Sequence, residues 1–82
     1  MSRAEETEWL CARTTHRRAV VRLVAAAQAF DAAVGRMEDG GSAAGLSTLL
    51  ADLREATAAE LEARMKVDNA LAEVLAAREV GR

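Results

Sequence analysis

The chain has 82 residues, a length that limits it to one domain. Its formal net charge of −2 argues against a module built mainly to bind nucleic acid, because such modules are usually basic. Its single cysteine excludes an internal disulfide, and a chain this short rarely buries enough surface to be stable without a staple or a partner. We therefore expect a second chain to take part in its fold.

The composition predicts helices throughout. Of the 82 residues 20 are alanine, proline is absent and only 2% are aromatic. No apolar run reaches the roughly 20 residues that a membrane span needs, and the acidic start MSRAEETE has no apolar signal region. We expect a soluble, cytoplasmic protein, and the excess of alanine and arginine over lysine indicates a GC-rich bacterial or phage source.

The first predicted helix runs from about residue 3 to residue 39. Ser2 and Glu5 have the spacing of a capping box at its start. Steps of four and three residues define one row with two polar interruptions: Trp9, Arg13, His16, Val20, Leu23, Ala27, Phe30, Val34 and Met37. A second row repeats every seven residues: Ala12, Ala19, Ala26 and Ala33. The apolar arc is therefore wider than one contact face.

The clearest break in this pattern is the segment EDGGSAAG, residues 38 to 45. Gly40 is suited to the left-handed conformation that ends many helices. Ser42 can cap the next helix by accepting a backbone N–H, and Ser47 is a rival cap. We predict a hinge at about residues 40 to 42 and a second helix from about residue 43 to residue 80, with Gly81 beyond its end.

The second helix has the same doubled pattern. One row contains mostly leucine: Leu46, Leu50, Leu53, Thr57, Leu61, Met65, Asp68, Leu71 and Leu75. Another row contains mostly alanine: Leu49, Ala56, Ala63, Ala70 and Ala77. Each helix thus has one apolar face that can pack on the other helix and a second apolar face that the hairpin leaves uncovered.

These arcs predict an all-α, antiparallel two-helix hairpin of coiled-coil type that pairs with a second copy, or with another helical protein, into a four-helix bundle. A lone hairpin would leave the second face of each helix in water, which is costly. We assign to the partner or dimer interface the two large residues near the open end and the alanine rows: Trp9, Leu10, Ala12, Ala19, Ala26, Ala33, Ala56, Ala63, Ala70 and Ala77.

Folding the chain at the hinge brings together residues whose numbers add up to about 84. The rule predicts three polar pairs: Glu6 with Arg78, Arg22 with Glu62, and His16 with Asp68. The last pair places one polar residue of each helix at the same level of the bundle. Arg13 and Arg17 lie close to it in the sequence, so we predict a polar layer there.

Two interpretations of this polar layer stay open. In the first, His16 or Arg13 pairs with Asp68, and the pair sets register and orientation at some cost in stability. In the second, Arg13, His16 and Arg17 form a site for a small anionic ligand, or an enzymatic site, within a helical dimer. The first interpretation is the more common role of such residues in helical bundles.

Other function classes have less support. Arg13, Arg17, Arg18 and Arg22 could follow a nucleic-acid backbone, but acidic residues lie at the facing level of the second helix and no stacking aromatic accompanies the run. Bundle metal sites place a glutamate three residues before a histidine, where this chain has arginine, and Cys11 has no aligned base. We therefore expect no metal, no cofactor and no catalytic residue, and a non-enzymatic assembly, adaptor or regulatory module.

Overall fold

The computed structural model describes residues 3–80 and contains two long α-helices joined by a short turn. Helix α1 spans Arg3–Glu38 and helix α2 spans Leu46–Val80. The helices pack against each other as an antiparallel hairpin, a rod of 65 × 14 × 13 Å. The prediction of an all-helical, two-helix hairpin is confirmed. The predicted cap at Ser2 and the predicted stop at Gly81 lie outside the described residues.

Two consecutive glycines end α1. Gly40 has a φ of +92°, the left-handed conformation that the sequence predicts for it. The N–H of Gly40 donates to the carbonyl of Met37 over 3.0 Å, and the N–H of Gly41 donates to the carbonyl of Arg36 over 2.8 Å. This pair of hydrogen bonds forms a Schellman motif. A Cβ on Gly41 would lie 2.6 Å from the Arg36 carbonyl oxygen, so the motif depends on both glycines.

A third glycine sets the start of α2, which is three residues later than predicted. Gly45 has a φ of +84°, and its carbonyl accepts the N–H of Leu49 over 3.0 Å, so Gly45 occupies the capping position. Ser42 accepts the N–H of Ala44 over 3.0 Å within the turn, before the helix begins. Ser47 lies inside the first turn of α2. The left-handed Gly45 therefore separates the predicted serine cap from the helix.

The seam between the helices is lined mainly by alanine. Ala56 is fully buried, at 0% exposure. Because alanine has no side chain beyond Cβ, alanine rows on both helices let the helix axes approach closely. Within residues 3–80 no large side chain is fully buried, so the core of the hairpin is thin. Its buried apolar residues are Ala26, Ala33, Ala56, Ala63, Ala70 and Val74.

Larger residues flank the alanines along one edge of the seam and are only half-buried. On α1 they are Trp9, His16, Leu23 and Phe30, and on α2 they include Leu53 and Val67. Each helix therefore contributes one row of alanine and one row of larger residues, both repeating every seven positions. The larger row keeps part of its surface in contact with solvent.

Beyond Leu53, which is half-buried at the seam, the row of α2 that faces α1 is not the leucine-rich row that the sequence predicts. Leu61, Met65, Leu71 and Leu75 are 36–58% exposed, and Asp68 of the same row is exposed too. The alanine row of α2 packs on α1 instead. On α1, likewise, Ala12 and Ala19 are half-buried at the seam while Arg13 and Val20 beside them are exposed. Small side chains on both helices allow a closer seam than leucine would, which gives more backbone contact.

Charged residues occur along both helices. Glu5 and Glu6 lie in the first turn of α1, while Arg36 and Arg78 lie in the last turns of α1 and α2. Each of these charges has the sign that the helix dipole favours at that end. In the part of the chain that the structure describes, neither helix contains a stretch long and apolar enough to cross a membrane.

Candidate interaction surface

A cluster of three polar side chains interrupts the seam. The Nε2 of His16 donates a hydrogen bond of 2.8 Å to Oε2 of Glu60 on the opposite helix. Arg64, one turn further along α2, donates from Nε to Oε2 over 3.0 Å and from Nη2 to Oε1 over 2.6 Å. Glu60 is only 8% exposed, so its charge depends on these three hydrogen bonds.

The hydrogen bonds from Arg64 and His16 lower the pKa of Glu60 from its ordinary value of 4.5 to about 2. Desolvation raises the pKa, but the two donors outweigh it. The carboxylate in turn raises the pKa of the Arg64 guanidinium. Glu60 is therefore ionised at neutral pH. A carboxyl group with so low a pKa is a weak general base, so the chemistry of the cluster suits an internal ion pair rather than proton transfer.

The partner of His16 is Glu60 and not the predicted Asp68. Asp68 is exposed because its row faces away from α1. Glu60 lies seven residues after Leu53 and seven before Val67, both half-buried at the seam. This heptad spacing is the signal that could have identified Glu60, and the four-residue step to Arg64 could have identified its second partner.

Of the other two predicted pairs, one is confirmed. The Nη2 of Arg78 lies 3.6 Å from Oε1 of Glu6, which joins the open ends of the helices. The prediction for Arg22 is wrong, because its Nη2 lies 3.4 Å from Asp52 and 3.7 Å from Glu55. These carboxylates are closer to the hinge than the predicted Glu62.

The two remaining arginines of the predicted polar layer lie beside the cluster. Arg13 stacks over Trp9, with its guanidinium carbon 5.2 Å from the ring centre. Within residues 3–80 neither Arg13 nor Arg17 forms an ion pair. The structure therefore groups Arg13, His16 and Arg17 of the predicted polar layer, whereas Asp68 does not join them. Five residues line a shallow pocket of about 280 Å³ here: Arg13, His16, Arg17, Val20 and Val67.

The arginines between residues 13 and 22 do not share one face. Arg13 and Arg17 line the pocket described above, whereas Arg22 lies next to Asp52 and Glu55. Because successive residues of a helix are rotated by about 100°, the run winds around α1 instead of forming a straight basic stripe. This arrangement weakens the case for tracking a nucleic-acid backbone.

One side of the seam is polar. A groove of about 410 Å³ on this side contains Cys11, whose thiol is exposed, and polar residues of both helices. Among residues 3–80 no three histidine, cysteine or acidic side chains are grouped in a way that could hold a metal ion. The groove is lined by Glu8, Cys11, Ala12, Thr15, Lys66, Asn69, Ala70 and Glu73.

The opposite side of the seam exposes several large aliphatic residues. Val20 lies there beside the half-buried His16 and Val67, as the shared pocket shows. The helical repeat brings five further aliphatic residues onto the same side, next to the larger row of each helix. Their exposures range from 36% to 51%. We call these six residues the open face: Leu10, Val20, Val24, Leu61, Leu71 and Leu75.

The residues predicted for a partner interface lie in three different places in the structure. The alanines lie between α1 and α2 of the same chain, buried or half-buried, so they have little surface for a partner. Trp9 is half-buried near the open end, where it packs under Arg13. Leu10, 51% exposed, belongs to the open face. The alanine rows are thus mostly covered within the chain, whereas the open face is exposed.

Comparisons with known protein families, with curated proteins and with solved structures give no match for this chain.

Proposed function

We propose that this protein is a non-enzymatic assembly module of the bacterial cytoplasm, whose hairpin pairs with a second copy through the open face to form a four-helix bundle. The observation that carries the proposal is the exposure of Leu10, Val24, Leu61 and Leu75, each about half exposed on one side of the rod. Several large aliphatic residues exposed on one side of a small protein are typical of a contact with another chain.

The accessible surface of the chain is large enough for this role. A compact protein of 8.7 kDa would expose about 4700 Å². This chain exposes 6051 Å², an excess of about 1300 Å². A stable interface of standard size removes about 800 Å² from each partner. Burial of the open face and of the half-buried row beside it would remove part of this excess and thicken a core whose buried apolar residues are five alanines and one valine.

A second copy suits this face better than a lipid surface does. Arg17 and Asp68 are exposed among its leucines and valines, so the face carries both signs of charge. Charges of both signs within an apolar patch are costly in hydrocarbon, yet they can be matched by the same charges on a symmetry-related copy. In a bundle of two hairpins, such a face would lie in the centre of the assembly.

Sedimentation equilibrium over a wide concentration range tests the proposal. We expect twice the chain mass of 8.7 kDa. Leu61→Glu should raise the dissociation constant at least about tenfold, since a charge would be buried at the centre of the interface. The control is Val80→Glu, the same kind of change at a residue 87% exposed near the end of α2, which should leave the mass unchanged. A helical monomer at the highest concentrations would refute the proposal.

The pocket next to the polar cluster supports a second candidate function, binding of a small oxyanion. Arg13 and Arg17 line it together with His16, and a phosphate or carboxylate could accept hydrogen bonds from both guanidinium groups. Titration with inorganic phosphate at constant ionic strength, followed by NMR, would show saturable shifts. Arg17→Gln should abolish them and Arg18→Gln, which lines another groove, should not. Equal loss in the two variants would indicate nonspecific charge binding and exclude this site.

A further inference from the structure

Three charged side chains on the open-face side form no ion pair within residues 3–80: Arg13, Arg17 and Asp68. Arg13 stacks on Trp9, and Asp68 lies close enough to Arg64, one turn before it, to act on its charge. In the free hairpin they are exposed and hydrated. In the dimer proposed above they would be enclosed, and an unpaired arginine or aspartate enclosed in an apolar contact is strongly destabilising. Arg13 and Asp68 have opposite signs, so a contact between them across the dimer would offset this cost for both.

The hairpin itself fixes the levels at which such partners can meet. Glu6 lies beside Arg78, and His16 lies beside Glu60, across the same seam. Arg13, between these two contacts on α1, therefore lies at the level of the α2 segment that contains Asp68. Both side chains are exposed on the open-face side, and no ion pair joins them within the chain.

We propose that the second copy docks about a two-fold axis parallel to the rod, so that α1 lies against the partner's α2 and Arg13 pairs with the partner's Asp68. This inference rests on the proposed function. Rotation about this axis leaves the position of every residue along the rod unchanged. Each residue of α1 therefore lies opposite the same residues of the partner's α2 that it faces at that height in its own chain. The ion pair then occurs twice, once on each side of the axis.

The same operation matches the apolar residues. Leu10 is three residues before Arg13, and Leu71 is three residues after Asp68, so Leu10 meets the partner's Leu71. Val20 is seven residues after Arg13 and Leu61 seven before Asp68, so Val20 meets the partner's Leu61. One symmetry operation thus pairs leucine and valine with leucine, and arginine with aspartate. Arg17 is four residues after Arg13 and Arg64 is four before Asp68, so Arg17 meets the partner's Arg64, whose charge is balanced by Glu60.

Charge reversal tests the pair. Arg13→Asp and Asp68→Arg should each raise the dissociation constant at least about tenfold, and the double variant should return it to within about threefold of the original value. The matched control replaces Arg18, which is exposed and lies outside the open face. Arg18→Asp should weaken dimerisation little, and its effect should simply add to that of Asp68→Arg. Additive effects of Arg13→Asp and Asp68→Arg, with no rescue, would overturn the proposed pair.

A distance measurement tests the direction of the axis independently. In a Cys11→Ser background, a spin label on Ser42→Cys reports the separation of the two hinges by pulsed electron paramagnetic resonance. The proposed axis puts both hinges at the same end of the bundle, so the distance should be well under half the 65 Å length of the rod. A distance close to the full length would mean that the axis is perpendicular to the rod, which overturns this inference but not dimerisation. A monomer in the same sample would refute the proposed function itself.

Discussion

His16 donates a 2.8 Å hydrogen bond to Glu60, and this contact joins α1 to α2 near the middle of the rod. Among residues 4–80, Glu60 is the only charged residue that is buried. A sliding movement of one helix along the other would leave its carboxylate in an alanine-lined seam with one donor fewer, at a high cost in free energy. The pair therefore fixes the register of the two helices. The alanine rows cannot do so alone, because they repeat every seven residues and would pack equally well after a shift of one repeat.

The first prediction concerns pH. Glu60 has a lower pKa in the folded chain, about 2, than in the unfolded chain, where the ordinary value is 4.5. The unfolded state therefore takes up the proton first as the pH falls. The stability that comes from this group is complete above about pH 4.5 and disappears as the pH falls towards 2. Urea unfolding followed by circular dichroism should show this loss.

A matched pair of variants isolates the contribution of Glu60 from that of the other carboxylates. Glu60→Gln should lower the unfolding free energy at neutral pH and flatten its decrease in acid. Glu62→Gln removes a carboxylate that is 71% exposed and only pairs with Lys66, so it should keep the slope of the parent protein. If Glu60→Gln retained the full acid dependence, the hydrogen bonds from Arg64 and His16 would not be its cause.

The second prediction concerns the alanine seam. Ala56 is completely buried between the helices, so Ala56→Leu would force them apart and should lower the unfolding free energy by about 1–3 kcal/mol. Ala58, two residues away on the same helix, is exposed, and Ala58→Leu should change stability by less than about 0.5 kcal/mol. Urea unfolding measures both. A neutral or stabilising Ala56→Leu would mean that the leucine-rich row of α2, and not the alanine row, faces α1.

The third prediction concerns the turn. Gly40→Ala places a Cβ on a residue with a φ of +92° and should cost about 1–2 kcal/mol. Gly41→Ala should also destabilise, because its Cβ would lie 2.6 Å from the carbonyl oxygen of Arg36. Gly35, inside α1, has nothing within 4 Å of an added Cβ, so Gly35→Ala should stabilise by about 0.5–1 kcal/mol. Thermal unfolding that moved all three variants in the same direction would contradict this account of the turn.

Much of this architecture follows from local sequence. Twenty alanines and the absence of proline determine that the chain is helical, and Gly40 determines where the first helix ends, because a left-handed residue stops the helix regardless of what surrounds it. The doubled heptad rows show that each helix has two apolar faces. The boundary at Gly45 was harder to predict, because a glycine cap and a serine cap are both consistent with the segment SAAGLS.

Only the tertiary structure decided which of the two rows faces inward. Both rows of α2 recur at close to the helical period, so periodicity alone does not show which of them faces α1. The choice depends on how closely the partner helix can approach, and alanine on both helices permits a close seam that leaves Leu61 and Leu75 about half exposed. That choice moved Asp68 to the outside and Glu60 to the inside, and it left Leu61, Leu71 and Leu75 on the open face.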